Sequence, residues 1–559
     1  MSPTSSFRRS DAIEELGRQT FDVLVVGGGI TGAGVALDAA ARGLSTALVE
    51  RADLGSGTSS KSSKLVHGGL RYLQQKEYWL VAESLAERQR LLRNAPHLVS
   101  PLPFLIPLFG RAGVVNKTVA KAYSSALWMY DLVGGMRIGR RHRRIDRAEA
   151  ARLMPTLRND SLVAGFIYYD ARADDARLTL TVARTAALDH GAVVANYAPV
   201  ATVLHDSAGR AGGARLGPSG LDAGPDTDGI EVRARVVVNA TGVWSDQVRQ
   251  PDGRGGEPSL RPAKGVHITL AWDRLRAEVA AVLPVPGDRR SIFVIPWGNR
   301  VYVGTTDTDY EGSLDEPLCT AEDVAYLLRA VNAFVTDKVS ESDVLGTWAG
   351  LRPLVRQATT ERTADLSRRH LVTTAADGVV TVSGGKLTTY RKMAADTVDA
   401  VIEVLGDTDQ RGRRRRSPTK RLSLHGAVDP EQAARSLAAE RPELDRAGAE
   451  HLVRRYGTEA GQVAALAGGD LAAPLVPGLP YLGAEALWAC RQEMAATLED
   501  VLSRRTRAFL LDAEATVGAA SSVAALVAPE LGWDDAATTR QLAAFAAMAS
   551  HERSAAGIG

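Results

Sequence analysis

Three glycines and one glutamate carry the first chemical signal in this chain. In DVLVVGGGITGAG, Gly27, Gly29 and Gly32 stand in a GxGxxG frame. Gly27 permits a tight turn, Gly29 lets the backbone approach a pyrophosphate, and Gly32 lets the following helix pack close to a sheet. A helix that opens on such a turn offers free N–H groups and a partial positive charge to two phosphates. The frame follows a short apolar strand. The next strand, TALVE, ends at Glu50, 21 residues after Gly29, where a carboxylate is placed to accept hydrogen bonds from an adenosine ribose. The segment from Asp22 to Glu50 therefore reads as a βαβ unit that grips a dinucleotide. The motif alone does not separate FAD from NAD. The string GTSSKSSKLVHGGLRYL at 57–73 follows the second strand directly, where a second phosphate-contacting loop is needed.

The elements that must hold these residues are legible in outline. The runs at 76–94 and 178–190 read as helices, and those at 199–204 and 230–239 as strands. Two stretches rich in Gly, Pro and Asp, 211–228 and 251–260, read as surface loops. From about 261 the text turns to short β-rich runs, HITLAW, SIFVIPW and RVYVGTTD, and 322–338 reads as a helix. GVVTVSGG at 378–385 is a strand that ends in a glycine turn. Beyond the basic linker the chain is rich in Ala and Leu with helical periodicity, and 420–550 reads as a separate helical domain.

Bulk properties exclude several classes. At 559 residues the chain is too long for one core, and two to four domains are expected. A net charge of +2 drives no general attraction to nucleic acid, and no nucleic-acid reading module is present. Cys319 and Cys490 are the two cysteines, too few for a disulfide framework, which fits a reducing compartment. No metal cluster has ligand spacing. The first twenty residues lack an apolar signal region, and no run is long enough to span a bilayer.

Six motifs in order resemble the FAD-dependent glycerol-3-phosphate dehydrogenases of aerobic respiration. They are the 57–73 string, NATGVWSD (239–246), KGVHITL (264–270), IPWGNRVYVGTTDTDY (295–310), AGLRPL (349–354) and SGGKLTTYRKMA (383–394). RRYG (454–457) and ATLEDVLSRRTR (496–507) resemble the C-terminal domain of that family. The sequence departs from the family at Val243, where a proline is common, and in the length of the two Gly/Asp-rich loops. The resemblance implies an α/β fold: a glutathione-reductase-like FAD-binding domain, a mixed-sheet substrate domain and an all-α C-terminal domain. The expected division is a tail at 1–20 and a body at 21–405. In the body, FAD-binding segments 21–95, 160–260 and 345–405 alternate with substrate segments 96–159 and 261–344. A basic linker at 406–419 and helices at 420–550 follow.

By resemblance, FAD is held by Gly27, Gly29, Gly32, Glu50, Thr58, Ser59 and Lys64, by Val200, Thr241, Gly242 and Trp244, and by Gly385, Leu387 and Thr388. Arg71, Tyr72, His267, Arg352 and Lys386 are implied to line the substrate pocket, with His267, Arg352 and Lys386 catalytic. The types suit the chemistry. Arginine forks grip phosphate, and an imidazole titrates near working pH. His267 is the expected general base, with a water held by Lys386 or Arg352 as the alternative. The family oxidises glycerol 3-phosphate to dihydroxyacetone phosphate and passes the electrons to quinone. The implied setting is the cytoplasmic face of the cell membrane, held peripherally, with a homodimer left open. An oxidase that reduces oxygen and a non-catalytic FAD-binding protein are the rival readings. Basic runs at 137–144 and 411–421 read as solvated charge or as contacts to anionic lipid. Trp128, Met129 and Tyr130 read either as part of an amphipathic helix in the membrane interface or as core or a dimer contact.

Overall fold

A computed structural model describes residues 7–74, 77–110, 117–134, 138–249, 259–288, 290–356, 370–406 and 416–558. The side chains of Arg71, Gln74, 117–120 and Arg249 lie outside that description. Two sheets organise the body. In the first, strands Val380–Gly384, Glu231–Asn239, Thr20–Val26, Thr46–Val49 and Val193–Ala195 lie side by side and parallel. Apolar runs such as VLVV and VVVN suit strands buried on both faces. Helices Ile30–Ala41 and Tyr390–Leu405 cover one side in a shared core. His370–Thr374 adds an antiparallel edge.

The second sheet has ten strands and is mostly antiparallel. Its long members are Leu260–Ala271, Val344–Val355, Val99–Phe109 and Leu162–Ala173. Its membership moves the expected domain boundaries. Leu162–Ala173 pairs along its length with Val99–Phe109, and Val344–Val355 pairs with Leu260–Ala271. The substrate-side segments therefore run past 160 and past 345, because strand pairing and not sequence position decides which sheet a segment joins.

Several other expectations change. The run at 211–228 begins as a strand, Ala211–Leu216, and becomes a loop only afterwards. Gly213 explains the misreading. Its φ is +144°, and a Cβ there would come within 2.1 Å of the Val232 carbonyl, so a glycine is needed for close pairing rather than for a turn. The N-terminal tail contains a helix, Arg9–Leu16, and Arg9 donates to the carbonyls of Asn196 and Tyr197, each at 3.0 Å. The second loop, 251–260, lies mostly outside the described residues, as do 407–415 of the linker. Thr419, at the linker end, donates to the buried Asp38 at 2.9 Å. Tyr130 is buried, unlike its exposed neighbours Trp128 and Met129.

The helices beyond 420 have a core of their own around Leu452, Val453 and Trp488, and they also share one with the body. Phe509, Leu510 and Leu511 belong to the same core as Phe104, Phe166 and Trp348 of the second sheet. Thr269 donates to the Leu510 carbonyl at 2.7 Å. Deeper still, Asp53 takes Arg504 at 2.7 Å and Arg505 at 2.6 Å, all three buried. Burial alone would raise the Asp53 pKa, but Arg505 and Arg504 outweigh it and hold the carboxylate below its usual range. Removing one partner of a buried charge network strands the others in low dielectric. Asp53→Asn is therefore expected to lower unfolding free energy by about 3–5 kcal/mol, read by urea denaturation of the holoprotein. A loss typical of a surface pair would show that the arginines find other compensation.

Candidate active site

The carboxyl ends of the parallel strands converge on one cavity, as ligand sites do in open α/β sheets. Thr20–Val26 leads into Gly27, Thr46–Val49 into Glu50, Glu231–Asn239 into Thr241 and Gly242, and Val380–Gly384 into Gly385 and Lys386. The cavity holds about 1000 Å³, and the second sheet forms its opposite wall. At the first turn Gly27 has φ +108°, and a Cβ on Gly32 would fall 1.8 Å from the Gly27 carbonyl. The turn therefore closes onto the helix with no room for a side chain.

Glu50 is a built element of this turn. Its Oε2 accepts from the Gly28 amide at 2.6 Å and its Oε1 from the Ala52 amide at 2.9 Å. Burial raises its pKa in spite of both bonds. Ser59 Oγ accepts from the Ile30 amide at 2.9 Å, tying the serine-rich loop to the helix start. Thr58 donates to the Leu351 carbonyl at 2.5 Å. Trp244 bonds Asp315 at 2.9 Å, with Arg51 over its ring at 4.4 Å. On the far side Thr388 accepts from the His67 amide at 3.1 Å. Gly385, with φ +83°, opens the turn toward Leu387. Val200 also lines the cavity. A long glycine-lined cleft with an acidic group by one end and a helix start at its middle fits an extended dinucleotide.

Lys64 departs from the set of residues on that cleft. It does not line the cavity. Its buried ammonium lies 3.4 Å from Asp175 and 4.4 Å over the Trp348 ring. Burial, then Arg507, pushes its pKa down to about 8, against Asp175 and Asp174.

His267, Arg352, Lys386 and Tyr72 come together on the same cavity. Arg71 lies in helix Leu70–Gln74, but its side chain lies outside the described residues. Strand register positions His267. It pairs with Gly304 on one side and Trp348 on the other. The imidazole stacks on the indole at 4.7 Å and 10°, and a Cβ on Gly304 would sit 2.1 Å from its Cδ2. Ser63 Oγ meets Nε2 at 2.8 Å, while buried Nδ1 has no partner among the described residues. Burial, then Lys64, then Arg352 hold the imidazole pKa well below its ordinary value, so it is neutral.

Arg352 reaches the cavity from the neighbouring strand, opposite Ala263. It donates to Asp307 at 3.1 Å and to Thr305 Oγ1 at 3.1 Å. Gly265 leaves it room, since a Cβ there would lie 2.6 Å from the guanidinium. Lys386 caps the short helix Leu387–Thr389. Its ammonium lies 3.9 Å over the Tyr72 ring and 3.3 Å from Ser84 Oγ. Sequence reasoning did not single out Ser63, Gly304, Trp348 or Asp307. All but Trp348 sit in quoted motifs, yet no local pattern reveals which strand faces which.

The cradle and the two-sheet cavity define an FAD-dependent oxidoreductase, and residues 22–391 match the family described as FAD dependent oxidoreductase. Residues 417–538 match the C-terminal domain of alpha-glycerophosphate oxidase. Glycerol-3-phosphate dehydrogenase 2 of Mycobacterium tuberculosis is 42% identical over 555 residues, covering 98% of this chain and 91% of that protein. The human mitochondrial glycerol-3-phosphate dehydrogenase is 36% identical over 537 residues, covering 93% of this chain and 72% of the relative. A glycerol-3-phosphate dehydrogenase from Bacillus halodurans, solved with FAD, superposes with a TM-score of 0.76 at 31% identity, covering 97% of each chain. The chain belongs to the FAD-dependent glycerol-3-phosphate dehydrogenases. Its cofactor is FAD, and it is an enzyme, which removes the non-catalytic reading.

The depressed imidazole has a testable sign. An unfolded histidine titrates near 6.5. The stability that comes from burying a neutral His267 is thus intact above about pH 6.5 and declines as pH falls toward the lower folded value. Lys64→Met removes one cation and is expected to raise the His267 pKa while leaving it below 6.5, because burial is the larger cause. Imidazole NMR titration reads this directly. An unmoved value would mean that Lys64 exerts no field at the ring.

Proposed function

We propose that this protein oxidises sn-glycerol 3-phosphate to dihydroxyacetone phosphate and passes the electrons to a membrane quinone. The observation that carries the reading is the convergence of two cations, Arg352 and Lys386, and one neutral imidazole, His267, on the cavity that the glycine cradle opens into. Arg352 and Lys386 bind the phosphate. Arginine offers a planar fork and lysine a point charge, each charge-assisted bond contributing roughly 1.5–3 kcal/mol. His267 accepts the hydroxyl proton, with Ser63 and the Trp348 stack fixing the ring. Bound FAD supplies the hydride acceptor, N5, for the hydrogen on C2. Both walls exclude water from the imidazole. The names of the relatives support the substrate.

The lipid setting is supported by the helix Lys117–Val133. It turns Leu127 and Tyr130 into the core and exposes Trp128, at 49%, and Leu132, at 71%. Trp128 lies 5.1 Å from His142, within the basic run that continues through Arg144. An apolar face beside cations suits the surface of an anionic bilayer. Among the described residues no helix is long and apolar enough to cross a membrane.

Anaerobic addition of glycerol 3-phosphate is expected to bleach the flavin absorbance, while glycerol and lactate leave it unchanged. Arg352→Ala should raise the half-saturating concentration roughly tenfold to a hundredfold, the equivalent of one charge-assisted contact. Glycerol bleaching the flavin as well as its phosphate would sink the phosphate assignment. Peroxide release matching the quinone-linked rate would make the protein an oxidase.

A further inference from the structure

The second sheet carries a row of side chains that continues past His267. His267 pairs with Gly304, Gly304 with Phe293, and Phe293 with Val282. The next strand places Phe104 beside Ala280, and Phe104 pairs with Tyr168. Directly paired residues share a face, so this is one continuous floor. Strands lie about 4.8 Å apart, which puts Phe293 roughly 10 Å from His267. The rings touch: Phe104 stacks on Tyr168 at 5.1 Å and meets Phe293 edge-on at 6.0 Å. Phe104, Ile106, Tyr168, Val282, Phe293 and Tyr123 all line the same cavity as the cations.

This aromatic arm has no use for a three-carbon phosphate ester, whose charge Arg352 would meet near His267, at the other end of the row. It fits a flat apolar ring. It also holds one polar feature. Tyr168 is 4% exposed, lines the arm, and its hydroxyl has no hydrogen-bond partner among the described residues. The hydroxyl is not closed off from the cavity, so it offers a donor to an acceptor atom placed there. The helix that contributes Tyr123 to the arm is the one that exposes Trp128 and Leu132, so its outer face suits the phase in which an apolar ligand dissolves.

We propose that this arm is the quinone site: the ring lies on Phe104 and Phe293, and one carbonyl oxygen accepts from Tyr168. The proposal rests on the quinone reading above. The exchange balances. Glycerol 3-phosphate loses two electrons and two protons as its C2–H and O–H bonds break and a carbonyl forms. The quinone takes two electrons and two protons at its two oxygens and leaves as the quinol, with the cofactor unchanged over the cycle.

Two variants of the holoenzyme test this with duroquinone as the probe. Tyr168→Phe removes one hydrogen bond and Ile106→Trp fills the arm. Both should be bleached by glycerol 3-phosphate at the wild-type rate under anaerobic stopped flow. Half-saturation of reoxidation by duroquinone should rise about fivefold in Tyr168→Phe, the loss of one bond of about 1 kcal/mol. In Ile106→Trp it should rise roughly tenfold or more. Equilibrium dialysis of duroquinone against the oxidised holoenzyme should shift by the same factors. Unchanged reoxidation and binding in both variants overturns the site, and so does bleaching slowed as much as reoxidation, which would assign the arm to the substrate. Wild type that is bleached but reoxidised by dye and not by duroquinone removes the quinone reading together with the site. Wild type that is never bleached removes the substrate reading, and the dialysis arm still decides who binds here.

Discussion

The carboxylate of Asp175 is the point on which the site depends. It is buried at the start of helix Asp175–Arg184 and collects the Ser62 amide and the Ser62 hydroxyl, each at 2.8 Å, Lys64 at 3.4 Å and Arg507 at 2.9 Å. Arg507 also donates to the Ser60 carbonyl. One anion thus ties the serine-rich loop, the helix behind it and the C-terminal region together. A buried carboxylate is tolerated only when its acceptor sites are filled by charged or polar donors. Here the donors come from two distant stretches, the serine-rich loop at 62–64 and Arg507, so the loop's shape depends on the C-terminal region as well as on its own residues.

The loop in turn sets the imidazole. With Ser62 fixed, its carbonyl accepts from the Trp348 indole at 3.2 Å, and the Ser63 carbonyl accepts from Tyr302 at 2.9 Å. Ser63 Oγ is then left facing His267. The first sheet supplies the loop and the second supplies the imidazole, so the helical C-terminal region is a structural part of the site although it lies away from it. Its buried arginines add ion pairs to Asp53 and Asp175 to the apolar core that the helices beyond 420 share with the body.

What was legible in the sequence was local. The turn at Gly27 and the strand-to-helix turn at Gly385 announce themselves because backbone geometry there admits little but glycine. The helices expected at 76–94 and 322–338 follow from periodicity within one segment and form at Tyr78–Asn94 and Ala321–Asn332, the second ending earlier than expected. What was not legible depends on distant partners. Ser63 against His267 spans 204 residues, and Arg507 against Asp175 spans 332. Nothing in ATLEDVLSRRTR says whether its three arginines meet solvent or buried carboxylates. Gly213 shows the same limit from the other side: a glycine that serves close strand pairing looks, by composition, like a loop.

The electrostatics of the proposed pocket link binding to chemistry. Before substrate enters, burial acts most strongly against protonation of His267, and Lys64 and then Arg352 add to it. A base so depressed is weak, which is a poor starting point for proton abstraction. A phosphate dianion placed on Arg352 cancels one of those cations in a medium of low dielectric, where the interaction is strong. The imidazole then gains basicity because the phosphate has arrived. On this reading glycerol, which lacks the dianion, loses twice. It forgoes the grip of Arg352 and Lys386, and it meets a histidine that has not been switched on. On the proposed roles of His267 and Arg352, specificity for the phosphate ester resides in the reactivity of the base as well as in affinity, and it follows from placing a neutral histidine among cations.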